Sequence, residues 1–141
     1  MVQRATTADD HFYRSLREQL TAAADNNEAL LDAIVNAPFH DPLRAVELGL
    51  GIVVLLLNNP ETNTIDRVAL STTDSAEGAV RMSAKPFHEI HIPANHPHNI
   101  IVRSIQEKKP QLTADWKYLF VPELSPREAR MNQAGAGIEA S

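Results

Sequence analysis

The chain has 141 residues, 43% of them apolar and 22% charged, with a formal charge of −5 and no cysteine. That is the length of one domain, with enough apolar material to bury a core. Its Lys and Arg are scattered rather than gathered into a basic stripe, which argues against a nucleic-acid partner, and the missing cysteines exclude disulfides, thiolate catalysis and thioether-linked chromophores.

The opening "MVQRATTADDHFYRSL" has no basic flank leading into an apolar run, so it does not read as a signal peptide. From 9 to 36 the pattern is helical, with Phe12, Leu16, Leu20 and Ala23 on one stripe. "DNN" interrupts it, and Asn27 is placed to cap a second helix carrying Leu30, Leu31, Ile34 and Val35. These residues form an N-terminal helical segment, 1–41.

"HDPL" opens the next element, with Asp41 as N-cap and Pro42 at the first helical position. The cap and the length of the run favour one helix over 42–57, with Leu43, Val46, Leu50, Val53, Val54 and Leu57 on one face. Its Val and Ile content alone argues for strand. The greasiest part, Leu48 to Leu57, is ten residues long, whereas a bilayer needs about twenty. The expectation is a buried element of a soluble, cytoplasmic protein with no membrane insertion.

Alternation then predicts strands at 66–72 ("DRVALST"), 77–84 (containing "GAVRMSA") and 87–93 ("FHEIHIP"), with "TTDSAEG" as a turn. "NHPHNIIVRSIQEKK" predicts a helix with Pro97 in its first turn, and "PQLTADW" a fourth strand, 110–116. "SPREARMNQAG" carries an S-x-x-E capping box from Ser125 to Glu128, with Gly135 as the stop. The fold class expected is α+β: an antiparallel sheet flanked by helices and backed by the helix 42–57.

Four of the six histidines, His88, His91, His96 and His98, lie close together. On a strand, His88 would share a face with Ile90 and Ile92, and His91 would point the other way beside Glu89. The string "HEIH" lacks the H-E-x-x-H spacing of a helical zinc site. A metal site would need one strand histidine, His96 or His98, and a carboxylate such as Asp115. The plainer reading is polar residues around a helix start, so no metal ligand is assigned. An anion held at that helix start is a further option.

From about Ala45 onward the order of segments resembles a GAF domain, a small sensor module of signalling proteins. The resemblance is carried by "IIVRSIQEKKPQLTADWKYLFVPELSPREARMNQAGAGIEAS", in which Pro110, Asp115, Gly137, Ile138 and Ser141 match the family's loose pattern, and by "IDRVALSTTD" as its first strand. It covers about two-thirds of the chain, and implies a PAS-like architecture over 42–141 that lacks its last two strands. Unpaired strand edges in such a domain predict self-association as a homodimer. Covalent bilin attachment is excluded by the missing cysteine, the family's N-K-x-D-like cyclic-nucleotide motif is absent, and the cofactor stays unassigned.

The resemblance implies a non-catalytic sensory or regulatory module that binds a small molecule, dimerises, or both. Candidate ligand-binding residues are Asp115, Trp116, Tyr118, Phe120, Arg127 and Met131: aromatic faces with polar handles, and a guanidinium fork for a carboxylate or phosphate. Two alternatives stand beside it. One is a metal-dependent hydrolase or oxygenase using the His88–His98 cluster with Glu89 or Asp115. The other is a ligand-free dimerisation module whose sheet face is packed shut by Trp116, Phe120 and Met131.

Overall fold

The structure, a computed structural model, describes residues 7–141; the side chains of Thr7, Ala8, Asp9 and Phe12 lie outside the described part, as do residues 1–6 of the N-terminal segment. Helices α1 (Thr7–Ala23) and α2 (Asn27–Asn36) pack on each other, and α2 also packs on the sheet. The cap of α2 is Asn26, one residue earlier than expected, whose side chain accepts from the Ala29 N–H at 3.1 Å.

Asp41 caps α3 (Pro42–Glu47) as its spacing predicts, accepting from the Arg44 N–H at 3.2 Å. The helix does not run on to 57. Gly49 adopts φ 66, a left-handed conformation that ends a helix readily only at glycine. Beyond it the Val/Leu run becomes strand β1 (Val54–Asn59), so β-propensity decides the second half of a segment whose first half is helical.

β1 turns through Asn63 (φ 54) into β2 (Thr64–Leu70), the strand expected from "DRVALST", and β2 pairs with the short β3 (His91–Pro93). The result is a three-stranded antiparallel sheet in the order β1-β2-β3. α+β is therefore the observed class, with a smaller sheet than expected and no long helix behind it.

Two expected strands are absent. Residues 77–84 fall largely in helix α4 (Asp74–Arg81). Thr73 caps it, accepting from the Ala76 N–H at 3.2 Å and donating to the Gly51 carbonyl at 2.7 Å. Asp74 and Glu77 sit in its first turn and Arg81 in its last, the arrangement a helix dipole favours. Residues 110–116 are irregular because side chains take the backbone groups a ladder would use. Gln133 accepts from the Trp116 N–H at 3.1 Å and donates to the Ala114 carbonyl at 3.0 Å. Asp115 accepts from the Lys117 N–H at 3.0 Å, at the start of α6 (Lys117–Phe120). Thr113 still exchanges backbone hydrogen bonds with Ser141, at 2.6 and 2.8 Å.

Helix α5 (Ile100–Glu107) is capped by Asn99 rather than entered at Pro97. The capping box of α7 (Pro126–Ala136) forms as expected, with Ser125 and Glu128 each bonded to the other's backbone. Gly137, at φ 68, ends the helix, and Gly135 lies inside it. The main core gathers Ile65, Ile90, Ile92, Val102, Trp116, Phe120, Leu124 and Ala129 between sheet and helices. Among the described residues no helix is long and apolar enough to cross a membrane.

Candidate functional site: an apolar cavity with one half-buried arginine

The β1–β2 pairing slips between Leu55 and Leu56. Leu56 faces Arg67 and Leu55 faces Ala69, which leaves Val68 as one extra residue on β2. A bulge re-aims side chains that strict alternation would send to opposite faces. Arg67 and Leu70, an odd and an even position, consequently line the same cavity.

That cavity measures about 400 Å³, within the usual range for small-molecule sites. Val54 and Leu56 wall it from β1, Ala79 and Val80 from α4, and Phe87 from the turn before β3. Trp116, Leu119 and Phe120 close another side, and Asn132 and Ile138 approach from α7 and the segment after it. Arg67 is the one charged side chain in this lining.

The arginine is held by aromatic faces rather than by a carboxylate. Its guanidinium carbon lies 4.3 Å from the Phe120 ring centroid and 5.8 Å from that of Phe87, a geometry worth about 2 kcal/mol when desolvated. Its Nε is shielded from solvent and has no hydrogen-bond partner. Burial pulls the group below its ordinary value, to about 10, and it stays a cation at neutral pH. Asn132, also buried, brings an amide without a partner among the described residues.

The residues expected to bind ligand separate. Trp116 and Phe120 reach the cavity, and the Trp116 indole N–H donates to Ser141 Oγ at 2.8 Å. Asp115 faces α7 instead. It pairs with Arg130 at 2.9 Å, and the Arg130 hydrogen bond, followed by that from the Lys117 N–H, holds its carboxyl below the ordinary value. Tyr118 is exposed and carries the Lys117 ammonium 4.8 Å from its ring centroid. Arg127 and Met131 lie on the exposed side of α7.

The histidines are tied one by one. Phe87–Glu89 form a 3₁₀ turn rather than strand, so His88 is exposed while Ile90 and Ile92 are buried, a correction to their expected common face. His88 Nδ1–H donates to the Arg67 carbonyl at 3.2 Å, and His91 Nδ1–H to Asp66 at 2.8 Å. His96 Nδ1 accepts from the His98 N–H at 3.2 Å. Among the described residues no group of three or more His, Asp or Glu side chains converges as a metal site would require.

Arg67 was not among the expected site residues, although a signal for it exists. In "TIDRVAL" it holds an inward position between Ile65 and Ala69, where a charge is costly unless something uses it. Comparison with known proteins adds nothing to this geometry: no family model, curated protein or solved structure matches the chain.

Proposed function

We propose that this chain is a non-catalytic sensory or regulatory module of the GAF type, whose ligand occupies the cavity between the β1–β2 hairpin and α7. The observation that carries the reading is the cavity itself: about 400 Å³, apolar on most sides, with Arg67 and Asn132 as convergent polar groups. Such a lining selects a ligand by shape and one or two polar contacts. The family assignment draws on the sequence pattern of Pro110, Asp115, Gly137, Ile138 and Ser141 and on the strand at "IDRVALSTTD"; the long helix before that strand and the strand at 110–116 do not form.

The cavity touches elements far apart in the chain, from Gly49 to Ser141. A ligand bridging them would stabilise the folded domain by mass action, about 2.7 kcal/mol at a hundred times its Kd. That coupling is the physical basis for a sensor: occupancy changes how firmly α7 and the residues after it are held. Self-association belongs to the same proposal. Leu43 and Val46 on α3 are 77% and 78% exposed, with Leu48 beyond them, a band that a second copy would cover. Light scattering at micromolar concentration should give twice the 15.6 kDa chain mass; a sharp monomer would remove this part.

The test of the ligand reading uses Trp116, the single tryptophan of the chain and part of the cavity wall. Titration with decanamide, a neutral probe of suitable size, should change Trp116 emission saturably and raise the melting temperature. The variant Leu56→Phe, which fills the cavity from β1, should fold and lose both responses. Absence of any response in the parent chain, to decanamide and to the corresponding acid alike, would contradict the proposal.

A further inference from the structure

We infer that the cavity takes an organic acid, a single carboxylate on an apolar body of about a dozen non-hydrogen atoms, with the carboxylate bound by Arg67. The inference rests on the cavity being a ligand site and names the chemistry of what enters it. The size follows from about 400 Å³ of space at the roughly 30 Å³ that a water-sized group fills.

The charge follows from Arg67. Acidic residues outnumber basic ones in this chain, 18 to 13, yet none of the ion pairs among its described residues involves Arg67. A half-buried cation without a counter-charge, its Nε fully shielded, is costly to a fold. Phe87 and Phe120 offset part of that cost through their ring faces, and they leave the donors of the guanidinium uncommitted. Those donors form a planar fork that matches a carboxylate with two parallel hydrogen bonds.

Other ligand classes fit less well. A cationic ligand would meet Arg67 in an apolar surround, where repulsion is strong. A neutral one accepts hydrogen bonds but leaves the guanidinium without a counter-charge. A phosphate monoester or nucleotide carries more charge than one arginine neutralises, and no second cation lines the cavity. Asn132 supplies an amide donor for the second carboxylate oxygen or for a hydroxyl on the ligand. The remaining wall, with Leu56, Val80 and Ile138 among its members, suits the apolar body.

The experiment compares decanoate with decanamide, which share a chain and differ in charge, by calorimetry and Trp116 emission at neutral pH. In the parent chain decanoate should bind about ten- to a hundredfold more tightly. Arg67→Met should bring decanoate down to the level of decanamide while decanamide binds as before, and Arg67→Lys should keep part of the preference. Equal binding of both probes to the parent chain would overturn the inference and leave the cavity reading standing, whereas binding of neither would overturn both. A preference that survives Arg67→Met would overturn the role given to Arg67. Should Arg67→Met not fold, the parent-chain comparison and Arg67→Lys still decide.

Discussion

Gly78 and Gly135 meet backbone to backbone where α4 crosses α7. A β-carbon on Gly78 would overlap the Gly135 carbonyl, and one on Gly135 would overlap the Gly78 carbonyl and the Met82 side chain. The crossing sets the distance between two walls of the cavity, because Ala79 and Asn132 lie on these same helices.

Glycine to alanine inside a helix ordinarily gains up to about 1 kcal/mol of propensity. Overpacking a close contact costs about 1–3 kcal/mol, and here the obstacle is backbone, which yields little. Gly78→Ala is therefore expected to lower stability by about 2 kcal/mol in urea denaturation. A stabilised Gly78→Ala would show that the helices separate freely.

Asn99 is buried and uses its whole side chain. Oδ1 accepts from the Ile101 and Val102 N–H groups at 2.9 and 3.3 Å, and Nδ2 donates to the Leu119 and Val121 carbonyls at 3.0 and 2.8 Å. One residue thus caps α5 and fastens it to α6. Asn99→Ala should cost about 2–4 kcal/mol, a lost cap plus stranded carbonyls. Asn99→Asp keeps the cap and loses the donors, so its loss should be nearly as large. Thermal melts of both variants check this, and a mild Asn99→Asp would mean that the contact with α6 contributes little.

Gln133 performs a similar service for the segment around Trp116. Besides Ala114 and Trp116, it bonds the carbonyls of Ile138 and Glu139 at 3.0 and 3.3 Å. Gln133→Ala should cost about 2 kcal/mol and shift Trp116 emission to the red as water reaches the indole. Unchanged emission would place the ordering of this segment elsewhere.

Acid should weaken the fold through two carboxylates. Asp66 is held below its ordinary value of 3.8, first by the hydrogen bond from His91, then by those from Thr64 and Asn59. Asp115 is lowered by Arg130 and then by the Lys117 N–H. A carboxyl that is more acidic in the folded chain stabilises it fully above the unfolded value, and the benefit is lost as pH falls through the folded one. The melting temperature should thus drop as pH falls below about 4. Asp66→Asn combined with Asp115→Asn should melt lower at neutral pH and show a flatter acid limb. Parallel acid limbs in the two proteins would contradict this.

What could be seen in the sequence depended on whether the signal was local. The Asp41 cap, the Ser125–Glu128 box and the strand at "DRVALST" are each set by a few neighbouring residues, and each appears in the structure, although a bulge at Val68 breaks the alternation within that strand. The run 42–57 misled because a good cap starts a helix without saying where it stops; Gly49 is the stop. In 77–84 the alternating Val80 and Met82 outweighed Thr73, Asp74 and Glu77, which mark a helix start, and the Gly78–Gly135 contact that rewards helix there is distant in sequence. The site was partly legible, in Trp116 and Phe120. Arg67 shares the parity of buried Ile65 and was open to the same reading, whereas Leu70 joins it only through the bulge, and a slip in register leaves no mark in the pattern of its own strand.

Whether the space beneath Arg67 receives a ligand can be read residue by residue. Amide chemical-shift mapping during titration with decanamide tests it most directly. Saturable shifts are expected at Leu56, Arg67, Ala79, Trp116, Leu119 and Ile138, all in the cavity wall, with α1 unaffected. Shifts confined to the exposed Leu43, Val46 and Leu48, or none at all with decanamide and decanoate alike, would contradict it.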